Sequence, residues 1–272
     1  MSKRDDYIHE ILSFFDAFLT TGNDETLIDY LTSHSNLPGP RGNLELAEAF
    51  GDAIEQRAPN DSLYSLCQTM TEVSADEAPV GDPREFVPFC GAVGIGALGA
   101  ASPTLFGRAI TALRALANDT RWRMREAVPM ALVRLTATHR QEVLSALEQW
   151  AAEGSLLEMR AVAAGVAEPA LLKDRATART ALELHETILE RVSELDDRKS
   201  DEFRALRKGL GYTLSVVIRA LPEEGFALMR QLAAAQDKDV LWIVKENLKK
   251  NRLIKNYATE VESIKSSLGA AK

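Results

Sequence analysis

The residues of this chain best suited to chemistry are cationic and aromatic. Residues 108–140 carry Arg108, Arg114, Arg121, Arg123, Arg125, Arg134 and Arg140, opposed only by Asp119 and Glu126. Residues 204–219 carry Arg204, Arg207, Lys208 and Arg219 with no acid, and residues 245–255 add Lys245, Lys249, Lys250, Arg252 and Lys255 against Glu246. Brought to equivalent faces, such side chains form a basic stripe suited to phosphates, with Arg121, Arg123, Arg207, Lys208, Lys249 and Lys250 as candidate nucleic-acid contacts. The same residue types also serve as ion-pair partners or as solvated surface. Two aromatics lie among these cations. Trp122 stands four residues before Glu126, the spacing of one helix face, and Tyr212 lies in RKGLGYTL (207–214).

Other motifs are weaker. His9-Glu10 and His185-Glu186 resemble fragments of a metal site. The chain has four histidines in all (His9, His34, His139 and His185) and no HExxH spacing, so no metal and no cofactor is expected. The run CGAVGIGALGA (90–100) is Gly-rich, but a phosphate loop follows a strand, and no strand precedes it. Close helix packing through Gly91, Gly94 and Gly99 is the expectation there.

The elements that must position these residues are helices. A hydrophobic content of 46% with only 6% aromatics, rich in Ala, Leu, Glu and Arg, favours helix over strand. Apolar residues at 8, 11, 12, 15, 18 and 19 predict a one-faced helix over 6–19, ended by Thr21-Gly22-Asn23-Asp24. A short helix to Leu31, a helix 44–56 capped by Asn43 and one from Asp61 to about Val73 follow. Beyond residue 84 the pattern is helix, short turn, helix: 84–100 with 103–117, 121–137 with 140–152, 156–166 with 169–193, and 201–220 with 223–235. The last two segments are 238–250 and 252–267.

The uncharged segment Phe86 to Gly107 is broken by Pro88 and Pro103, which predicts a buried helix pair rather than a membrane span. No membrane partner is expected. Two cysteines, Cys67 and Cys90, point to reducing conditions without a disulfide framework. The stretch MSKRDDYIHE has no apolar signal region, so a cytoplasmic location is the expectation.

Charge is unevenly spread. Residues 1–90 hold 17 acidic and 5 basic side chains, whereas the remainder holds 23 acidic and 27 basic. The first part reads as an acidic helical N-terminal cap (1–80). The rest is either an ordinary array or one that binds something anionic.

The chain also repeats itself. DTRWRMREAVPMALVRL (119–135) is echoed by DKDVLWIVKENLKK (237–250) and, more faintly, by GSLLEMRAVAAGVAEP (154–169). Trp122, Leu157 and Trp242 are 35 and 85 residues apart, and Asp82-Pro83-Arg84 opens 37 residues before Asp119. These periods suit helical-pair repeats. An Asp in the turn followed by an apolar and a basic residue (Asp119, Met124, Arg125; Asp239, Val244, Lys245) resembles the HEAT repeat over roughly residues 82–250. The resemblance implies an all-α, HEAT-like α-solenoid over 81–272 in one continuous array. Its second helices would line a concave face, and ladders of Asp and Arg would cross its turns.

Trp122, Glu126 and Tyr212 together resemble the HEAT-like DNA alkylation repair family of alkylpurine DNA glycosylases. That resemblance implies Trp122 and Tyr212 as aromatics holding the damaged nucleotide and Glu126 as the catalytic carboxylate. The family's best-known branch has Asp and Trp where this chain has Glu126 and Tyr212, and the Trp-x-x-basic-Glu pattern recurs at Trp242. Two functions are therefore expected. The first is a non-enzymatic binding or scaffold protein that takes a macromolecular partner, protein or DNA, on its concave face. The alternative is a DNA-binding alkylation-repair enzyme.

Overall fold

A computed structural model of the chain describes residues 2–270. All regular structure among them is helical: fifteen α-helices and two short 3-10 turns, with no strand. The fold is of the α-solenoid class, built from consecutive helices that short turns fold back as antiparallel neighbours. The chain divides into two compact units, residues 1–143 and 144–272.

The first unit contains α1 (Lys3–Thr21), α2 (Glu25–Ser33), α3 (Leu44–Arg57), α4 (Asp61–Thr71), α5 (Phe86–Ala101), α6 (Pro103–Leu116) and α7 (Met124–Thr138). It is organised around α5, against which α2, α3, α4, α6 and α7 all pack. Every residue of α5 from Phe86 to Ala100 is buried. Large side chains such as Phe86, Phe89 and Leu98 each contribute about 1.5–3 kcal/mol by leaving water. The glycines set how closely the neighbours approach. A Cβ on Gly94 would come within 2.5 Å of Cys67 Sγ, and one on Gly96 within 2.5 Å of the Ala131 Cβ. The expected cap, residues 1–80, is packed into this unit, with α3 and α4 directly on α5. Cys67 and Cys90 are both buried free thiols, and burial raises their pKa values.

Local caps explain where several helices begin. Asn43 accepts the Leu46 N–H at 3.2 Å and opens α3 as expected. Asn60, rather than Asp61, caps α4, accepting the Leu63 N–H at 3.0 Å. Helix α7 begins at Met124 instead of 121, because the preceding turn is clasped. Asp119 accepts the Arg121 N–H at 2.7 Å, its Nε at 3.0 Å and its Nη2 at 2.7 Å. Asp82 holds Arg84 in the same way, at 2.8, 3.0 and 2.7 Å. The 37-residue echo is thus a repeated piece of geometry. One consequence is a correction: Trp122 sits in the turn before α7, so it does not share a helix face with Glu126.

Helix α8 (Arg140–Glu153) leads into the second unit, which continues with α9 (Leu156–Gly165), α10 (Arg175–Glu194), α11 (Asp201–Ala220), α12 (Pro222–Ala233), α13 (Lys238–Leu248), α14 (Asn251–Ile254) and α15 (Ala258–Ala270). Here α11 is central, packed by α9, α10, α12, α13 and α14. The single helix expected over 169–193 is instead a 3-10 turn, Leu171–Lys173, followed by α10. Asp174 starts α10 afresh by accepting the Thr177 N–H at 2.9 Å. The segment expected as 252–267 is likewise two helices, α14 and α15. No helix among the described residues is long and apolar enough to cross a membrane.

Candidate functional site

Helix α11 turns Phe203, Leu206, Leu210, Leu214 and Val217 into the core of the second unit. Lys208, Tyr212 and Arg219 fall on its exposed face, at the spacing of one helical stripe. Tyr212 is 49% exposed. The chain beyond α13 returns beside this stripe. Fully buried Leu253 anchors the short α14, and the polar residues around it turn outward.

The result is an open cleft of about 1050 Å³ whose cationic lining is Lys173, Arg219, Lys249, Lys250, Arg252 and Lys255. Glu168 is the one acidic residue in its wall, and Leu172, Val216 and Pro169 give it an apolar floor. Lys249 pairs with Glu246. Among the described residues, Lys173, Arg219, Lys250, Arg252 and Lys255 have no carboxylate partner. Closely spaced cations without counter-charges raise the local potential and attract anions.

Arg252 is held by Tyr212. Its guanidinium carbon lies 4.6 Å from the ring centroid, and its Nη2 donates to the phenol oxygen at 2.8 Å. Lys250 Nζ is 5.8 Å from the same centroid.

A second cleft of the same unit, about 1010 Å³, is lined by Arg198, Arg207, Lys238, Asp239, Trp242 and Lys245 among others. Its arginines are paired internally. Arg198 bonds Asp237 and, at 3.3 Å, Asp239, while Arg207 Nε lies 3.1 Å from Asp239. Arg207 also stacks over Trp242 at 4.1 Å. The expected ladder therefore takes a different form. Asp239 meets Arg198 and Arg207, whereas Arg125 donates to the carbonyls of Asp119 (3.4 Å) and Thr120 (3.1 Å) in its own turn.

No family model matches this chain and no curated protein resembles it. Among solved structures, a designed armadillo repeat protein is 14% identical over 82% of this chain and 98% of its own, with a TM-score of 0.30. An engineered protein is 12% identical over 88% of this chain and 97% of its own, also at 0.30. Likeness at that level carries no argument about function.

The fold brings some of the sequence candidates together and separates others. Tyr212, Lys249 and Lys250 share the basic cleft. Arg207 lines the other cleft, and Lys208 is exposed outside both. Arg121 and Arg123 are 3% and 6% exposed and act inside the first unit, which removes them from the surface stripe. Arg121 clasps Asp119 and donates to the Ser74 and Ala78 carbonyls. Arg123 pairs with Glu85 at 2.8 Å and donates to the Gly39 carbonyl at 2.6 Å. Trp122 is 38% exposed, with the Arg123 guanidinium 4.3 Å from its ring; Glu126 is exposed at the start of α7.

Lys173 was invisible from sequence, because it stands alone in a turn far from the other cations of the cleft. Arg219, Arg252 and Lys255 carried a signal as members of acid-poor stretches, but nothing local singled them out. His185 is fully buried, with its ring bonded to the Ala181 carbonyl at 2.7 Å and to Thr213 Oγ1 at 2.9 Å. Burial lowers its pKa to about 4. Among the described residues, no group of three or more His, Cys, Asp or Glu side chains comes together to hold a metal.

Proposed function

We infer that this chain is a non-enzymatic binding protein whose partner is anionic, received by the basic cleft of the second unit. The supporting observation is the cleft's charge: six cationic side chains against Glu168, five of them without a carboxylate partner among the described residues. Paired cations, as in the neighbouring cleft, have spent their charge within the chain. Unpaired ones retain it for a ligand.

The test is binding of three polyanions to the full chain: a single-stranded oligonucleotide, tripolyphosphate and polyglutamate. Wild type should bind at least one of them, more weakly as salt rises. The double variant Lys250→Glu, Lys255→Glu should lose about tenfold or more in affinity with an unchanged melting temperature, since both positions lie at the surface. Failure of wild type to bind any polyanion would sink this reading.

A second reading, an alkylpurine DNA glycosylase-like protein, has one observation in its favour. Trp122 and Tyr212 are the aromatic members of the exposed large hydrophobic residues described. In that reading an exposed aromatic would hold a flipped nucleotide, with Glu126 as the catalytic carboxylate. Release of methylated purines from duplex DNA, lost on Glu126→Gln, would establish it. Equal release by the variant would reject the carboxylate, and no release would reject the reading.

A further inference from the structure

Several aromatic rings carry an arginine over one face: Arg108, over Tyr64, pairs with Asp61, and three more arginines lie over Trp122, Trp242 and Tyr212. What distinguishes the three arginines is their counter-charge. Arg123 lies over Trp122 and is neutralised by Glu85. Arg207 lies over Trp242 and is neutralised by Asp239. Arg252 lies over Tyr212 and donates to its hydroxyl, and among the described residues no carboxylate meets it. Its other side-chain contact in the cleft is the ring itself. Tyr212 therefore fixes the guanidinium without discharging it.

A fixed, uncompensated guanidinium is a receptor for phosphate oxygens. The planar fork of N–H donors matches a phosphate edge, and a preset rotamer spares the ordering cost on binding. One Nη2 hydrogen is used by Tyr212; the remaining donors are left for a ligand.

We propose that this cleft binds a compact polyphosphate group, the phosphoanhydride chain of a small molecule. Arg252 is its phosphate fork, and Tyr212 is a positioning residue that acts through Arg252. The proposal rests on the anion-binding reading above and narrows its ligand. Three features favour a compact ligand over an extended nucleic-acid backbone. The cleft, about 1050 Å³, is just above the size of small-molecule sites, which run to roughly 300–1,000 Å³, and is bounded on the scale of one small ligand. Its cations come from three separate segments around one cleft: Lys173 in the turn before α10, Arg219 late in α11, and Lys250, Arg252 and Lys255 around α14. Finally, residues 144–272 hold 20 acidic and 20 basic side chains, so this unit offers a long polyanion no net attraction beyond the local field of the cleft, which reaches about a Debye length. The ring of Tyr212 is also engaged with Arg252 and Lys250, so it grips cations in place of stacking on a base.

The experiment is calorimetric titration of the full chain with tripolyphosphate at low salt, with a single-stranded oligonucleotide as competitor. Wild type should bind tripolyphosphate saturably, one per chain. Arg252→Gln should weaken binding about tenfold or more. Tyr212→Leu should weaken it as much, and Tyr212→Phe, which keeps the ring and loses the hydroxyl, should fall between. In the Arg252→Gln background, Tyr212→Leu should have no further effect, an outcome that a merely structural role for the ring would not produce. Melting temperatures should stay unchanged throughout. Undiminished binding by Arg252→Gln, or additive losses in the double variant, would overturn the assignment of these residues. Oligonucleotide binding that tripolyphosphate cannot displace would overturn the ligand class and leave the anion-binding reading standing. Binding of neither probe, nor of polyglutamate, would remove both.

Discussion

Arg123 and Glu85 form a 2.8 Å ion pair from which water is excluded, with Glu85 fully buried and Arg123 almost so. Glu85 also accepts the Gly81 N–H at 2.8 Å, and Arg123 reaches the Gly39 carbonyl. The pair thus joins the loop before α3, the turn before α5 and the start of α7. It is incompletely satisfied, since Glu85 Oε1 and Arg123 Nε find no partner. Glu85→Ala should cost about 3–5 kcal/mol, because it strands a buried guanidinium. The double change Glu85→Leu, Arg123→Met should cost less than that single change, since it removes both buried charges together. Urea denaturation of wild type and the two variants checks this, and a double variant less stable than Glu85→Ala would contradict it.

Gly51 and Arg134 provide a test with a change of sign. Arg134 crosses from α7 to α3, where it bonds Glu48, Asp52 (3.1 Å) and Glu55 (2.8 Å). It passes over Gly51, where an added Cβ would lie 2.7 Å from the guanidinium carbon. Gly51→Ala should therefore destabilise by about 1–3 kcal/mol through overpacking. In an Arg134→Ala background the clash is gone, and the same substitution should stabilise by up to about 1 kcal/mol from helix propensity. Equal effects in both backgrounds, measured by chemical denaturation, would disprove the contact.

His185 should make the second unit acid-sensitive. Its folded pKa is lowered to about 4 from 6.5 by burial, so the folded state holds the neutral ring while the unfolded state takes up a proton. Stability from this group is fully present above the unfolded pKa and declines as pH falls from about 6.5 towards 4. The total is on the order of 3 kcal/mol. Unfolding free energies measured across that window should show this slope in wild type and a flatter one in His185→Leu, whatever the variant's absolute stability. Parallel slopes would exclude His185 as the source.

Asn247 joins α13 to α11 through buried polar contacts. Its Oδ1 accepts the Ser215 N–H at 2.8 Å, and its Nδ2 donates to the carbonyls of Leu210 (2.9 Å) and Ile243 (2.8 Å). Asn247→Leu, close in volume, should cost about 1–3 kcal/mol because the Ser215 N–H is left buried without its acceptor. Faster amide exchange at Ser215 should accompany the loss. Unaltered protection there would show that the amide has another partner.

The helix pairs were legible because each leaves a local mark: an apolar period, a cap and a breaking residue. Helix α11 begins and ends where the sequence indicates, with Ser200 accepting the Phe203 N–H at 3.1 Å and Pro222 opening α12. Boundaries failed where a side chain intervened. The Asp119 clasp keeps Arg121 out of α7, and Asp174 divides the segment over 169–193. The basic stripe was only partly legible, since sequence gives charge but not burial. Arg123 looked like its neighbours in the Arg-rich run, yet its partners Glu85 and Gly39 are 38 and 84 residues away. Lys173 reaches the cleft only because α9 and α10 pack on α11. Contacts of that range leave no periodic trace.

Helix α5 has a consequence for how the chain must be made. It is wrapped on all sides, partly by helices that precede it and partly by α6 and α7, which follow. A ribosome that has released α5 has not yet supplied its second half of cover, so an uncharged apolar rod stands bare on one flank until about residue 138 has emerged. Nascent chains stalled between residues 102 and 138 should accordingly be chaperone clients, and expression fragments ending there should aggregate.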